Sequence, residues 1–248
     1  MRKDVAVVIL AAGQGTRMKS NKAKVLHEIA GRPMILYVTE AAQKIAGKNV
    51  IVVIGHQAPE VREIISESAQ LHFAYQEEQL GTAHAVQCSV PHIPDGCDEV
   101  VILCGDVPLI RTETITGLVE DHLSAERDIS LLAVELENPY GYGRVLIDEK
   151  RQVFGIIEEA DATAAQKQIK LINAGIYCIN KAFLLQALPK IRTNNVQSEL
   201  YLTDIMGIGH SEKKKIGVMI GTDPSEVIGI NTVQELTRVE TIMQSIMT

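Results

Sequence analysis

The sequence predicts an α/β fold in which a mostly parallel central sheet is flanked by helices, with a smaller antiparallel subregion beside it. Three observations predict it. Short β-branched runs alternate with longer stretches of helical spacing, several of those runs are apolar at every position, and the alternation gives way to closely spaced strands near residues 138–178. An apolar run without polar interruption belongs to a strand covered on both faces, as in a sheet between two layers of helices.

Strands are expected at Val5–Leu10, Val50–Ile54, Val100–Leu103, Ile129–Val134, Ile176–Ile179 and Ile216–Ile220. A helix is expected over Pro33–Ala46, where Met34, Val38, Ala41 and Ile45 recur at helical spacing and Pro33 suits a first turn. Val61, Ile64 and Ile65 mark a second amphipathic segment, and Ile115, Leu118, Val119 and Leu123 a third. The final helix should begin near Thr232. Thr232-x-x-Glu235 has the form of a capping box, and Val233, Leu236, Val239, Ile242, Met243 and Ile246 follow on one side. Asn231, just ahead of the cap, is then free to use its side chain elsewhere.

Composition narrows the function. The chain has 248 residues, 46% hydrophobic and 22% charged, so it can bury a sizeable core and is not disordered. Its net charge of −7 argues against a nucleic-acid partner, whose phosphates call for a surplus of Lys and Arg. No apolar run reaches the roughly 18 residues of a membrane span, and the short apolar N-terminal run leads straight into glycines, so a first strand is expected there, not a signal peptide. The cysteines at 88, 97, 104 and 178 form no CxxC pair and no zinc-finger spacing, the pattern of reduced thiols in a cytoplasmic protein. One domain is expected over residues 1–248, without a membrane partner.

The segment Leu10-Ala11-Ala12-Gly13-Gln14-Gly15-Thr16-Arg17 follows the first strand directly. Glycines there let backbone N–H groups approach phosphate oxygens. The GxGxxG of dinucleotide enzymes is incomplete, and the Gly-Lys-Ser/Thr that ends a P-loop is absent. What remains is a glycine loop with two downstream cations, Arg17 and Lys24, at a spacing able to embrace the outer phosphates of a triphosphate.

LAAGQGTRM, followed by Lys24-Val25-Leu26-His27 and Ala30-Gly31-x-Pro33-Met34, resembles the sugar-nucleotide pyrophosphorylase family of nucleotidyltransferases. The nearest pattern is the N-terminal uridylyltransferase half of the bifunctional GlmU enzymes. Gln76-x-x-Gln79-Leu80-Gly81-Thr82-Ala83-His84-Ala85, Gly105-Asp106-Val107-Pro108-Leu109, Gly141-Tyr142-Gly143-Arg144, Asn173-x-Gly175 and Tyr201-Leu202-Thr203-Asp204-Ile205 continue the match in family order.

The resemblance implies a Rossmann-like nucleotidyltransferase fold with a nucleotide-binding part (about 1–135), a sugar-binding part (about 136–230) and a C-terminal helix (about 232–247). It implies magnesium-dependent transfer of a uridylyl group from UTP to N-acetylglucosamine 1-phosphate, releasing pyrophosphate. The alternatives are another sugar 1-phosphate or dTTP, or a non-catalytic sugar-nucleotide-binding domain. Arg17 and Lys24 are then the catalytic cations. Leu10, Ala11, Ala12, Gly13, Gly15, Gln76, Gly81, Thr82 and Gly105 hold the nucleotide, with the Gln76 amide offering a donor and an acceptor to uracil. Cys104, Gly143, Glu158, Asn173, Tyr201 and Thr203 face the sugar, Glu158 being favoured over Glu159. Asp106 and Asn231 are the magnesium ligands. His27, His56 and His84 are read as structural or positional, because the sugar phosphate is already a nucleophile and no triad is required.

Four positions depart from the family pattern. Cys104 stands where tyrosine is usual, Leu200 replaces an aromatic, Ala23 replaces a proline, and Thr232-Val233 replaces a more polar pair. The hexapeptide repeats of the bifunctional relatives' left-handed β-helix do not occur, so acetyl transfer and the trimer built by that helix are not expected. A monomer or weak homo-oligomer is.

Overall fold

The computed structural model describes residues 4–149 and 152–247. In chain order its elements are β1 (Val5–Ala11), β2 (Glu28–Ile29), β3 (Arg32–Pro33), α1 (Met34–Ala46), β4 (Val50–Ile54), α2 (Ala58–Ser68), β5 (His72–Tyr75), α3 (Thr82–Ser89), β6 (Glu99–Cys104), α4 (Thr112–Ser124), β7 (Ile129–Glu135), β8 (Arg144–Ile147), β9 (Val153–Ile157), β10 (Leu171–Asn180), α5 (Lys181–Ala187), α6 (Asp204–Ser211), β11 (Ile216–Ile220) and α7 (Val233–Met247).

The main sheet runs β11-β7-β10-β6-β1-β4-β5. Pairing is parallel within β6-β1-β4-β5 and within β7-β11, and β10 inserts antiparallel between β6 and β7. Strands β8 and β9 form an antiparallel hairpin that joins the sheet through Ile172 of β10 opposite Arg144. This is the mixed arrangement expected for residues 138–178.

Alternation along the central strands divides the interior in two. Val5, Val7 and Ile9 of β1 face α1, α2 and α4, together with Val50, Val52, Val101 and Leu103. Ala6 and Val8 face α3, α5 and α6, together with Ile51, Val53, Val100 and Ile102. A third, smaller cluster joins Met18, Ile29 and Met34, near the start of the chain, to Ile228, Ile230 and Val239 near its end.

Several elements differ from expectation. Pro33 precedes α1 instead of entering it, because its backbone is held extended in the β2-β3 hairpin. The strand expected at Ile176–Ile179 extends back to Leu171, and a register shift between Asn173 and Tyr177 interrupts its pairing with β7. β5, α3, α5 and α6 were not evident in the sequence: each is short, and β5 is an edge strand with only Ala74 fully buried. On α7, Val239 is buried while Val233 is 54% exposed, because the first turn projects beyond the apolar cluster that receives the rest of the helix. The side chain of Ile246 lies outside those described.

Candidate active site

The carboxyl ends of β1 and β6 lie side by side, Leu10 opposite Cys104, and the loops that leave them form the floor of a cleft of about 510 Å³. Open α/β sheets bind ligands at this edge. Leu10, Ala11, Ala12, Gly13, Gly15, Lys24, Gln76, Gly81, Thr82, Cys104 and Asp106 line the cleft, with Gln14, Thr16, Val25, Gln79, Ala85 and Glu199 among their neighbours. Gly105 follows the last residue of β6 and donates its N–H to the Leu10 carbonyl of β1 at 2.9 Å.

The cations come from two single helical turns, Thr16–Met18 and Lys24–Leu26. Gly15 adopts φ 65°, and a Cβ there would lie 2.5 Å from the Lys24 Cβ, so a glycine is required for the lysine stem to cross the loop. The Lys24 ammonium forms an ion pair with Asp106 and donates to the Asn231 Oδ1 at 3.0 Å. The Arg17 guanidinium donates to the same oxygen at 3.0 Å. Side chains 82, 207 and 214 positions apart thus meet at one point.

The third apolar cluster explains how. Met18 and Ile230, each next to a polar partner in this contact, are both buried in it. The Ile230 N–H donates to the Asp106 carbonyl at 2.9 Å. The capping box is formed: Thr232 Oγ1 accepts from the Glu235 N–H at 3.2 Å, and Glu235 Oε2 accepts from the N–H groups of Thr232 and Asn231 at 2.8 and 2.7 Å.

Gln76 is buried, and its Nε2 donates to the Gly81 carbonyl at 3.0 Å and lies 3.2 Å from His84 Nδ1. The donor half of this amide is therefore engaged within the protein, which corrects the expectation that both halves face a base. Gln79 and His84, which the sequence reading did not assign to the site, hold Gln76 in place; Gln79 Nε2 donates to the Gln76 carbonyl at 3.0 Å. The one available signal was their spacing around Gly81-Thr82. Only α3, too short to show a period, turns His84 toward Gln76.

The sugar-side candidates form an adjoining group and, Cys104 apart, do not line this cleft. Glu158 Oε1 accepts from the Thr203 hydroxyl at 3.0 Å, and burial raises its carboxyl above the ordinary range, reinforced by Asp161 and Asp204. Glu159 is paired with the buried Arg144 at 2.6 Å, a structural role that leaves Glu158 as the available carboxylate. The Asn173 N–H donates to the Gly143 carbonyl, and its Oδ1 accepts from the Gly175 N–H, both at 2.9 Å. A Cβ on Gly143 would lie 3.0 Å from the Ile156 side chain and 3.2 Å from the Glu158 carboxylate, so the glycine lets Glu158 pack against the backbone. Tyr201 donates its hydroxyl to Gln197 Oε1 at 2.5 Å. Cys104 Sγ is 3.5 Å from the Gly175 carbonyl and joins the two groups; burial, with the Asp106 charge adding to it, pushes its thiol up to about 12.

Two other features lie away from the cleft. A depression of about 470 Å³ beside α4 and β11 contains Arg111, but that guanidinium is committed to Glu226 and Asp223. Glu99, His122 and Cys178 lie together at the opposite end of β6, a grouping their sequence spacing did not reveal. There His122 is held between Glu99 at 3.0 Å and Ser130 at 2.9 Å.

A glycine loop at the sheet edge, cations meeting an Asp and an Asn, and an adjoining polar group define a nucleotidyltransferase site. The chain belongs to the MobA-like NTP transferase domain family, whose model matches residues 7–172. It is 44% identical over 95% of its length to the bifunctional protein GlmU of Desulfotalea psychrophila, and 43% identical over 92% to that of Geobacter metallireducens. It spans 70% of the first relative and 48% of the second, and about half the length of others of that name. The fold also matches a Bacillus anthracis protein described as a candidate glucose-1-phosphate thymidylyltransferase, solved with a sucrose, at a TM-score of 0.73 and 17% identity over 96% of this chain and 94% of that one. Members of the family generally use a divalent metal.

Proposed function

We propose that this domain transfers a uridylyl group from UTP to N-acetylglucosamine 1-phosphate, producing UDP-N-acetylglucosamine and pyrophosphate. The carrying observation is the meeting of Arg17, Lys24, Asp106 and Asn231 at the carboxyl edge of the sheet. The similarity to GlmU proteins supports the choice of substrates.

The sugar phosphate oxygen attacks the α-phosphorus in line, and pyrophosphate leaves. The glycine loop presents N–H groups to the phosphates, while Gln76, with its donor held internally, offers its Oε1 to the uracil N3–H. Gly81 and Thr82 contribute backbone groups beside it. Arg17 and Lys24 exchange Asn231 and Asp106 for phosphate oxygens and stabilise charge on the departing pyrophosphate. Glu158 and Asn173 orient the sugar hydroxyls.

Asp106 and Asn231 suit Mg2+: one carboxylate and one amide oxygen, both hard donors, already converge on a single cationic group. When bound there, the ion offsets charge on the two phosphate groups that must approach each other. The assay is pyrophosphate release with a panel of nucleotides and sugar 1-phosphates. UTP with N-acetylglucosamine 1-phosphate is expected to give the highest kcat/KM. Equal rates with CTP and UTP would remove the role given to Gln76, and no release from any pair would overturn the reading.

A further inference from the structure

Residues 199–203 cross from the sugar-side group to the nucleotide loop as a strap whose backbone runs close against Gly81. The Leu200 N–H donates to the Leu80 carbonyl at 2.8 Å, and the Leu200 carbonyl accepts from the Ala83 N–H at 2.9 Å. Between these bonds Gly81 adopts φ 117°, and a Cβ there would lie 2.5 Å from the Leu200 carbonyl oxygen. One side-chain bond completes the join: Thr82 Oγ1 accepts from the Leu202 N–H at 2.9 Å.

Leu202 is flanked by Tyr201 and Thr203, both assigned above to the sugar, and the Thr203 hydroxyl donates to Glu158. A continuous path therefore runs from the Thr82 hydroxyl through the Leu202 N–H and Thr203 to Glu158. Thr82 itself is exposed at the cleft, and its hydroxyl is turned to the Leu202 N–H. The N-cap of α3 is Gly81, and Thr82 is the helix's first residue.

We infer that the Thr82 hydroxyl is a positioning residue for the sugar, although its backbone belongs to the nucleotide loop. This inference rests on the function proposed above. By accepting from Leu202 it fixes the strap at the height where Thr203 reaches Glu158. Valine at 82 keeps the shape and the backbone groups offered to uracil but leaves the Leu202 N–H without its acceptor.

The test compares UDP with UDP-N-acetylglucosamine as calorimetric ligands of the wild type, Thr82→Val, Thr82→Ser and Thr82→Ala. UDP carries the uracil and no sugar. In Thr82→Val and Thr82→Ala the Kd for UDP-N-acetylglucosamine should rise about fivefold, the order expected for one lost hydrogen bond, with the Kd for UDP nearly unchanged. Thr82→Ser should bind both ligands as the wild type does, and the KM for the sugar phosphate should follow the same order while that for UTP stays level. Equal weakening of both ligands would make Thr82 a nucleotide residue only, and no weakening of either would make the bond idle; each overturns the inference. A wild type that binds neither ligand would instead overturn the proposed function.

Discussion

The Asn231 carboxamide oxygen accepts from Arg17 and Lys24 at once, and Lys24 also neutralises Asp106. These contacts hold Arg17 beside Lys24 and Asp106, and the triphosphate role proposed for it can be separated from a structural one. UDP-sugar product lacks the outer phosphates, so Arg17→Ala should lower kcat by about one to two orders of magnitude while barely changing the Kd for the product. Equal losses in steady-state kinetics and product titration would move Arg17 to a structural role. Glu158 gives a second residue-scale prediction, through linkage. Burial raises its pKa above the ordinary 4.5, so in the window between that value and the raised one the folded chain binds more proton than the unfolded chain. Stability from this group is present below the unfolded value and is lost as pH rises through the folded one. Glu158→Gln keeps an oxygen for the Thr203 hydroxyl and carries no charge to bury. It should melt above the wild type at neutral pH, with the gap closing as acidity increases, and it should raise the KM for the sugar phosphate. Melting curves between pH 5 and 8 that run parallel would remove this account.

At the scale of elements, the start of α7 does two jobs. Its capping box ends the preceding loop, and Glu235 Oε2 also takes the N–H of Asn231, so the residue that shapes the helix start aims the carboxamide ahead of it. Glu235→Ala should cost about 1 kcal/mol, seen as a fall of roughly 2–4 °C in Tm. It should also raise the Mg2+ concentration needed for half-maximal activity. A normal metal requirement with a lowered Tm would confine Glu235 to the helix. The box was legible in the sequence because its four residues are contiguous and its physics is local. The long strands and α1 were legible because apolar periodicity reports burial directly. β5, α5 and α6 were not, since two short turns or an edge strand bury too few residues to impose a period. Pro33 shows the opposite limit: its preference for a first helical turn yielded to a two-residue hairpin formed with Glu28.

At the scale of the molecule, the residue types at the site were legible and the connections between them were not. Arg17, Lys24, Asp106 and Asn231 could be singled out by motif, but only packing shows that they touch. Sequence spacing gave no means of seeing that Gln76 turns its donor inward to Gly81 and His84, or that Leu202 hangs on Thr82. Both depend on loops whose positions are set by the two halves of one continuous sheet. The strap at residues 199–203 makes those halves answer to each other. UTP and sugar phosphate should accordingly bind with mutual effect: saturating UTP should tighten the Kd for the sugar phosphate, and Thr82→Val should reduce that factor. Titrations of the sugar phosphate with and without a non-hydrolysable UTP analogue measure it, and independent binding in the wild type would show that the strap carries no coupling.

The apolar cluster that joins Met18, Ile29 and Met34 to Ile230 and Val239 also has a bearing on synthesis. Arg17 and Asn231 are 214 positions apart, so at roughly 5–20 residues per second the ribosome separates their appearance by about 10–40 s. Through that interval the glycine loop can form on β1 while its apolar underside has no cover, and the two cations lack the amide that later receives them. The meeting of Arg17, Lys24 and Asn231 is thus incomplete until α7 docks, and the apolar patch around Met18, Ile29 and Met34 stays uncovered for as long as it waits. The clasp that completes the site reaches it only after every strand of the sheet has been made.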